Sequence, residues 1–185
     1  ARLSTALTSL GPSYIKLGKF LATRDDIIGR ELAADLATLQ DRLPPFSQDE
    51  ARKAVEEALE APIDTLFAEF GPPVAAASIA QVHKASVPES DGSFKAIAVK
   101  VLRPGIEQRF NKDLDSYFFA ARMIERFHPP SRRLRPEAVV ETLAKSVAIE
   151  MDLRMEAAAI SEMAQNSKND VGFRVPQVDW SRSAR

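Results

Sequence analysis

The amino-acid sequence predicts an α+β fold: a helical N-terminal region packed against a short antiparallel sheet, followed by a long helix. Three observations predict it. Apolar residues recur at steps of three and four over the first 70 residues, which is the helical period. At Gly71-Pro72-Pro73 the pattern changes to strand-length apolar runs that continue to Leu102. Helical spacing returns after Arg103-Pro104 and persists to about Gln165.

Each element has its own signal. Gly11-Pro12 is a break, and Pro12 suits a first helical position because its missing N–H would be unbonded there anyway. Tyr14, Leu17 and Leu21 follow at helical spacing, and Leu32, Leu36, Leu39 and Leu43 form a second stripe closed by Pro44-Pro45. Ser47-Gln48-Asp49-Glu50 reads as a capping box, with Ala51, Ala54, Val55, Ala58 and Leu59 as the buried face behind it. Ala80 to Val87 and Phe94 to Leu102 read as strands around the turn Ser90-Asp91-Gly92-Ser93. On the second strand Ile97, Val99 and Val101 point one way, and Ala98, Lys100 and Leu102 the other. Ile106 to Phe127 reads as a helix ended by His128-Pro129-Pro130, with Arg132-Arg133-Leu134-Arg135 as a basic loop. Pro136 then opens a single long helix to about Gln165, and Phe173 to Val178 reads as one more strand, at an edge because of Pro176.

Composition bounds the function. Lys+Arg number 25 against 26 Asp+Glu, a formal net charge of -1, so the chain has no bulk attraction for nucleic acid. There is no cysteine, which excludes disulfides and thiolate metal sites. His83 and His128 are far apart and lack metal-ligand spacing, so no metal site is expected. No apolar run reaches the ~20 residues of a membrane-spanning helix. The beginning at Ala1 and the end at Arg185 read as fragment boundaries. Trp180 is expected to be a packing residue.

Four clusters carry possible chemistry. Lys100 sits in an apolar strand as Ala98-Val99-Lys100, the Ala-x-Lys pattern of a phosphate-neutralising strand lysine. Taken alone, such a lysine is more often simply solvated. About twenty residues earlier runs Ala75-Ala76-Ala77-Ser78-Ile79-Ala80-Gln81-Val82-His83, whose small side chains would let backbone N–H groups approach phosphates. Glu150-x-Asp152, followed by Glu156, lies on the long helix. Asp152 and Glu156 would share a face there, while Glu150 points to a different partner. Lys16-Leu17-Gly18-Lys19 places a glycine inside a helix, where it costs ~1 kcal/mol relative to alanine, so close packing is its expected reason.

In this order, and with Leu39-Gln40-Asp41-Arg42-Leu43-Pro44-Pro45-Phe46 between them, these motifs resemble the UbiB family of atypical protein-kinase-like ATPases linked to ubiquinone biosynthesis. The resemblance runs from about Leu10 to the end of the chain. It implies a helical extension over 1–70 and a kinase-like small lobe over 71–185, with an added helix near 104–127. Lys100 would contact the phosphates of ATP, with Glu156 as its ion-pair partner, and Ala98 would leave room for adenine. Ala75, Ala76, Ala77 and Ser78 would cover the phosphates, and Glu150 and Asp152 would meet Lys16. The family has Gln where this chain has Lys19. Magnesium ligands and a catalytic loop are expected in a large lobe that this chain does not contain, so the chain alone is expected to be inactive.

The implied partners are nucleotide, and lipid or quinone-pathway proteins at a membrane surface; nucleic acid is not among them. The implied location is the cytoplasmic side of the bacterial inner membrane, or the mitochondrion in a eukaryote, with anchoring by other parts. A non-catalytic scaffold responsive to nucleotide or lipid is the alternative. A third reading, a helical interaction domain with coincidental motifs, predicts that Lys100 and Glu156 stay apart.

Overall fold

The computed structural model describes residues 2–39 and 43–185. Gln40, Asp41 and Arg42, from the stretch between Leu39 and Phe46, lie outside the described residues. The chain opens with α1 (Arg2–Leu10), α2 (Pro12–Ala22), α3 (Asp25–Ile28) and α4 (Arg30–Ala37). Gly11, at φ 110°, turns the chain between α1 and α2, a conformation that disfavours a side chain. Pro12 then sits in the first turn of α2. Gly18 is inside α2 because a Cβ there would stand 2.4 Å from Leu39 Cδ1 and 2.8 Å from Leu7 Cδ1. The second leucine stripe is only partly realised. Leu36 and Leu39 are buried, but Leu32 is 46% exposed and α4 stops at Ala37. The Thr38 hydroxyl donates to the Asp35 carbonyl, 2.6 Å away, at that end.

Helix α5 (Gln48–Leu59) begins with the complete capping box, Ser47 and Glu50 bonding reciprocally. It and the short α6 (Ile63–Leu66) lie against one face of a three-stranded antiparallel sheet. The order is β1 (Glu69–Ala76), β2 (Ala80–Pro88), β3 (Phe94–Leu102). Contrary to the sequence reading, Gly71-Pro72-Pro73 does not precede the sheet but lies inside β1. The prolines are tolerated because β1 is an outer strand, and register shifts on both sides of Pro73 absorb them.

Strands β2 and β3 pair without interruption, so alternate residues sort cleanly onto two faces. Gln81 with Val101, His83 with Val99 and Ala85 with Ile97 face α5. Val82 with Lys100 and Lys84 with Ala98 occupy the opposite face. The core on the α5 side contains Ala51, Val55, Ile63, Phe67, Phe70, Ala85, Val87 and Val101.

Helix α7 (Ile106–Phe127) and α8 (Pro136–Glu150) build the second core around Phe110, Tyr117, Leu143 and Val147. Between them the expected basic loop is a 3-10 turn, Pro129–Leu134. Its Arg132 donates to the carbonyls of Glu125 and Arg126 at the end of α7. Helix α2 docks on α7 through the Ser13 hydroxyl on Asp113, 2.5 Å, and an edge-on Tyr14–Tyr117 pair at 5.2 Å. Burial pushes the Tyr117 phenol well above its ordinary pKa, with Asp113 adding to it.

Three expectations fail after Pro136. The single long helix is two, α8 and α9 (Leu153–Asn166), because Asp152 leaves the helical conformation and its carboxylate accepts from Arg154 N. Phe173 to Val178 forms no strand; Val171 and Phe173 are exposed, so no buried face rewards pairing. Trp180 is 54% exposed in a terminal 3-10 turn, Trp180–Arg182, rather than packed. Among the described residues no helix is long and apolar enough to cross a membrane.

Gly18→Val should lower unfolding free energy by about 1–3 kcal/mol, because the added methyls overpack Leu7 and Leu39. Urea denaturation followed by circular dichroism measures it, and an unchanged midpoint would show that α1 and α4 can move aside.

Candidate functional site

Two lysines, each on a different element, meet two glutamates that flank one break in the chain. On β3, Lys100 projects from the face opposite Val99 and Val101, and its Nζ donates to Glu156 Oε2 in the first turns of α9. On α2, Lys16 Nζ donates to Glu150 Oε2, the last residue of α8. The Lys100 and Glu156 side chains are 39% and 46% exposed. At that exposure an ion pair contributes about 0–1 kcal/mol, so the contact does little for stability and mainly sets where the ammonium sits. The contact also removes the reading in which these motifs are coincidental, which required Lys100 and Glu156 to stay apart.

Asp152 departs from expectation. It does not meet Lys16, nor does it share a helical face with Glu156. It precedes the first turn of α9, bonding Arg154 through backbone N and guanidinium at 3.1 to 3.2 Å. The side-chain bond from Arg154 holds its carboxyl below the usual range, against the opposing effect of desolvation. Glu150 does point to a different partner from Glu156, as the spacing had suggested.

The open face of the sheet is lined by small residues. Ala75 pairs with Val82, which pairs with Lys100, so the three lie side by side across the strands. Ala98 is two residues from Lys100 on the same face. Ala75 and Ala76 end β1, while Ala77 and Ser78 form the turn into β2. That turn is closed by Ala77 N on Ala80 O at 2.8 Å, and Arg103 N extends the ladder to Ile79 O at 2.8 Å.

Sequence reasoning did not anticipate what stands behind that turn. The Arg103 guanidinium donates to the carbonyls of Ser78 and Ala77, both at 3.3 Å, and to Pro44 at 3.1 Å. It lies over the Phe46 ring, 5.3 Å from the centroid. Gln81 Oε1 accepts from Phe46 N at 3.0 Å, which orients the amide so that its Nε2 donates to His83 Nε2 at 2.8 Å. The neutral imidazole must then carry its hydrogen on Nδ1, which donates to Gly71 O at 2.8 Å. His83 is fully buried and stacked on Phe70. The available signal was positional: two polar side chains, Gln81 and His83, on the strand face that also carries Ala85 and Val87 must be buried with partners.

A shallow cavity of about 160 Å³ runs along the open edge of β3, lined by Ala58, Val99, Lys100, Leu153 and Arg182 among others. Among the described residues no three His, Asp or Glu side chains cluster so as to hold a metal ion.

A three-stranded antiparallel sheet, a strand lysine and a glutamate from a following helix paired with it make up a kinase-like arrangement. Residues 38–185 match the family described as the ABC1 atypical kinase-like domain, and the chain belongs to that family, alongside the UbiB proteins. It is 41% identical over 180 residues to a probable protein kinase UbiB of Marinobacter nauticus, covering 97% of this chain and 32% of that protein. With the protein of the same description from Aeromonas salmonicida it shares 42% over 179 residues, 96% of this chain and 32% of the other. The counterpart from Pseudomonas paraeruginosa is 41% identical over 181 residues, covering 97% and 33%. The chain thus spans about a third of the length of the curated relatives it matches.

The Asp152 carboxyl has a depressed folded pKa, so its contribution is complete above the unfolded value of 3.8 and vanishes as pH falls through the lower folded value. The stability gap between the wild type and Asp152→Asn should therefore be larger at pH 6 than at pH 3. Urea midpoints at the two values measure this, and an equal gap would remove the carboxylate from the account. Separately, Glu156→Gln should change stability by less than about 1 kcal/mol, since the pair it breaks is exposed.

Proposed function

We propose that this chain is the nucleotide-binding portion of an atypical kinase or ATPase that supports ubiquinone biosynthesis. We further propose 1–70 as its helical extension and 71–185 as its small lobe. The observation that carries the reading is the Lys100–Glu156 contact on the open, small-residue face of the sheet. An ammonium held at a sheet surface by a helix glutamate can neutralise phosphate charge without swinging away. Val82 and Ala98 present little bulk beside it, which suits the planar edge of a base. The donor set therefore fits ATP. A bound nucleotide would supply a phosphoryl group for transfer or hydrolysis. The residues of this chain would bind and orient it: Lys100 and the turn from Ala75 to Ser78 at the phosphates, and Ala98 at the base.

Magnesium is a different case. We assign its ligands to the part of the relatives that lies outside this chain, since no described cluster of acidic or His residues suits a metal. On this reading the 185-residue chain binds nucleotide weakly and does not turn it over. The Lys16–Glu150 contact brings α2 toward the same region, where it would occupy space needed by a protein substrate; a small substrate or simple hydrolysis fits better.

A second reading is a scaffold at a lipid surface, on the cytoplasmic side of a bacterial inner membrane or in a mitochondrion. It is favoured by Phe119 and Phe127, 60% and 72% exposed, with the Arg126 guanidinium 5.6 Å from the Phe127 ring centroid. Association with anionic vesicles that is indifferent to nucleotide would support it.

The deciding experiment is thermal unfolding of the full-length protein with MgATP. At a concentration near 100 times its Kd the ligand should stabilise the wild type by about 2.7 kcal/mol, with no such gain in Lys100→Ala. Equal protection of both would end the nucleotide reading at this site.

A further inference from the structure

Arg103 follows Lys100 by three residues yet serves the other side of the sheet. Its guanidinium lies over Phe46, which packs against the core beneath α5, whereas Lys100 faces α9. From there it takes three carbonyls: Ala77 and Ser78 from the alanine turn, and Pro44 from the segment that leads into α5. Gln81 holds the same segment a second time, at Phe46 N and O. Gln48 Nε2 holds it a third time, on Phe70 O at 2.8 Å. Burial lowers the Arg103 pKa while the nearby Glu50 carboxylate opposes it; the group stays cationic regardless.

A loop that receives phosphates has to present N–H groups and keep its carbonyl oxygens away, because both carbonyl and phosphate oxygens are negative. A glycine loop can reach that arrangement by adopting unusual dihedrals. Alanine cannot do so cheaply, so its carbonyls need an external hold. A planar, multiply donating guanidinium can grip several oxygens at once, which an ammonium cannot.

We infer that Arg103 is a positioning residue for nucleotide phosphates. It holds the Ala77 and Ser78 carbonyls on the far side of the turn and couples the turn to the 44–48 segment entering α5. The inference rests on the nucleotide reading above for its consequence, and on these contacts for its mechanism.

The test is amide hydrogen exchange on the full-length protein without nucleotide, comparing wild type, Arg103→Gln and Arg103→Lys, with MgATP affinity measured on the same variants. Exchange should accelerate about tenfold in 75–80 and at the Phe46, Ser47 and Gln48 amides together, with the amides of α7 and α8 unchanged. MgATP affinity should fall about tenfold alongside it. If Arg103→Gln does not fold, Arg103→Lys, which keeps the charge but not the fork, reads out the same comparison. Unchanged exchange in 75–80, or a uniform rise along the whole chain, would overturn the inference. So would a loosened turn with unchanged affinity in a protein where Lys100→Ala abolishes binding. If Lys100→Ala leaves affinity intact, it is the nucleotide reading that has failed, and with it the phosphate-positioning role; the exchange data then report only on the coupling of the two segments.

Discussion

The Asp152 carboxylate accepts the Arg154 amide, and the chain leaves the helical path for one residue to let it do so. Much of the site follows from that bond. An uninterrupted helix from Pro136 would carry Glu150 and Glu156 on one rod, committed to directions set by the helical repeat. The break lets α8 end beside α2 and α9 start beside β3. Glu150 then reaches Lys16 and Glu156 reaches Lys100. Two glutamates six residues apart thus fix two cations from distant parts of the chain, Lys16 near its start and Lys100 in its middle.

The sheet supplies the other half of the arrangement. Period-two alternation on β3 buries Val101 against α5 and leaves Lys100 on the open side, so one strand carries both core and chemistry. On β2 the same alternation buries Gln81 and His83 with the core residues, where each polar atom must find a partner. They find Phe46 and Gly71, which ties the entry to α5 and the irregular strand β1 to the rigid centre of the sheet. The irregularity of β1 has a use as well as a cause. Register shifts around Pro73 turn the strand end so that Ala75 lies alongside Val82 and Lys100.

The ion pairs are exposed and add little stability, whereas the packed features hold the scaffold. Phe110, Leu143 and Val147 join α7 to α8, and Gly18 lets α2 settle against Leu7 and Leu39. The helical N-terminal region is consequently attached by close packing and by Ser13, Tyr14 and Lys16. The first turn of α2 thus makes contacts with residues a hundred or more positions away.

The sequence by itself determined the features governed by neighbours along the chain. The capping box at Ser47, the strands to Val87 and Leu102, the two faces of β3 and the helix from Ile106 to Phe127 were legible, because turn chemistry and periodicity are local. The resemblance carried by Lys100, Glu156 and the alanine run also sufficed to name the family. Tertiary structure alone decided the rest. Gly71-Pro72-Pro73 looks like a boundary until β1 proves to be an outer strand that does not need every N–H. Asp152 looks like a helix-face carboxylate until its cap on α9 competes with helix propagation and wins. Phe173 to Val178 has the composition of a strand but no apolar surface to lie on. Arg103 carries no local signal, since its three carbonyl partners come from segments 25 to 59 residues away in sequence. Local patterns set which elements form; which side chains meet depends on long-range packing, which no short window of sequence contains.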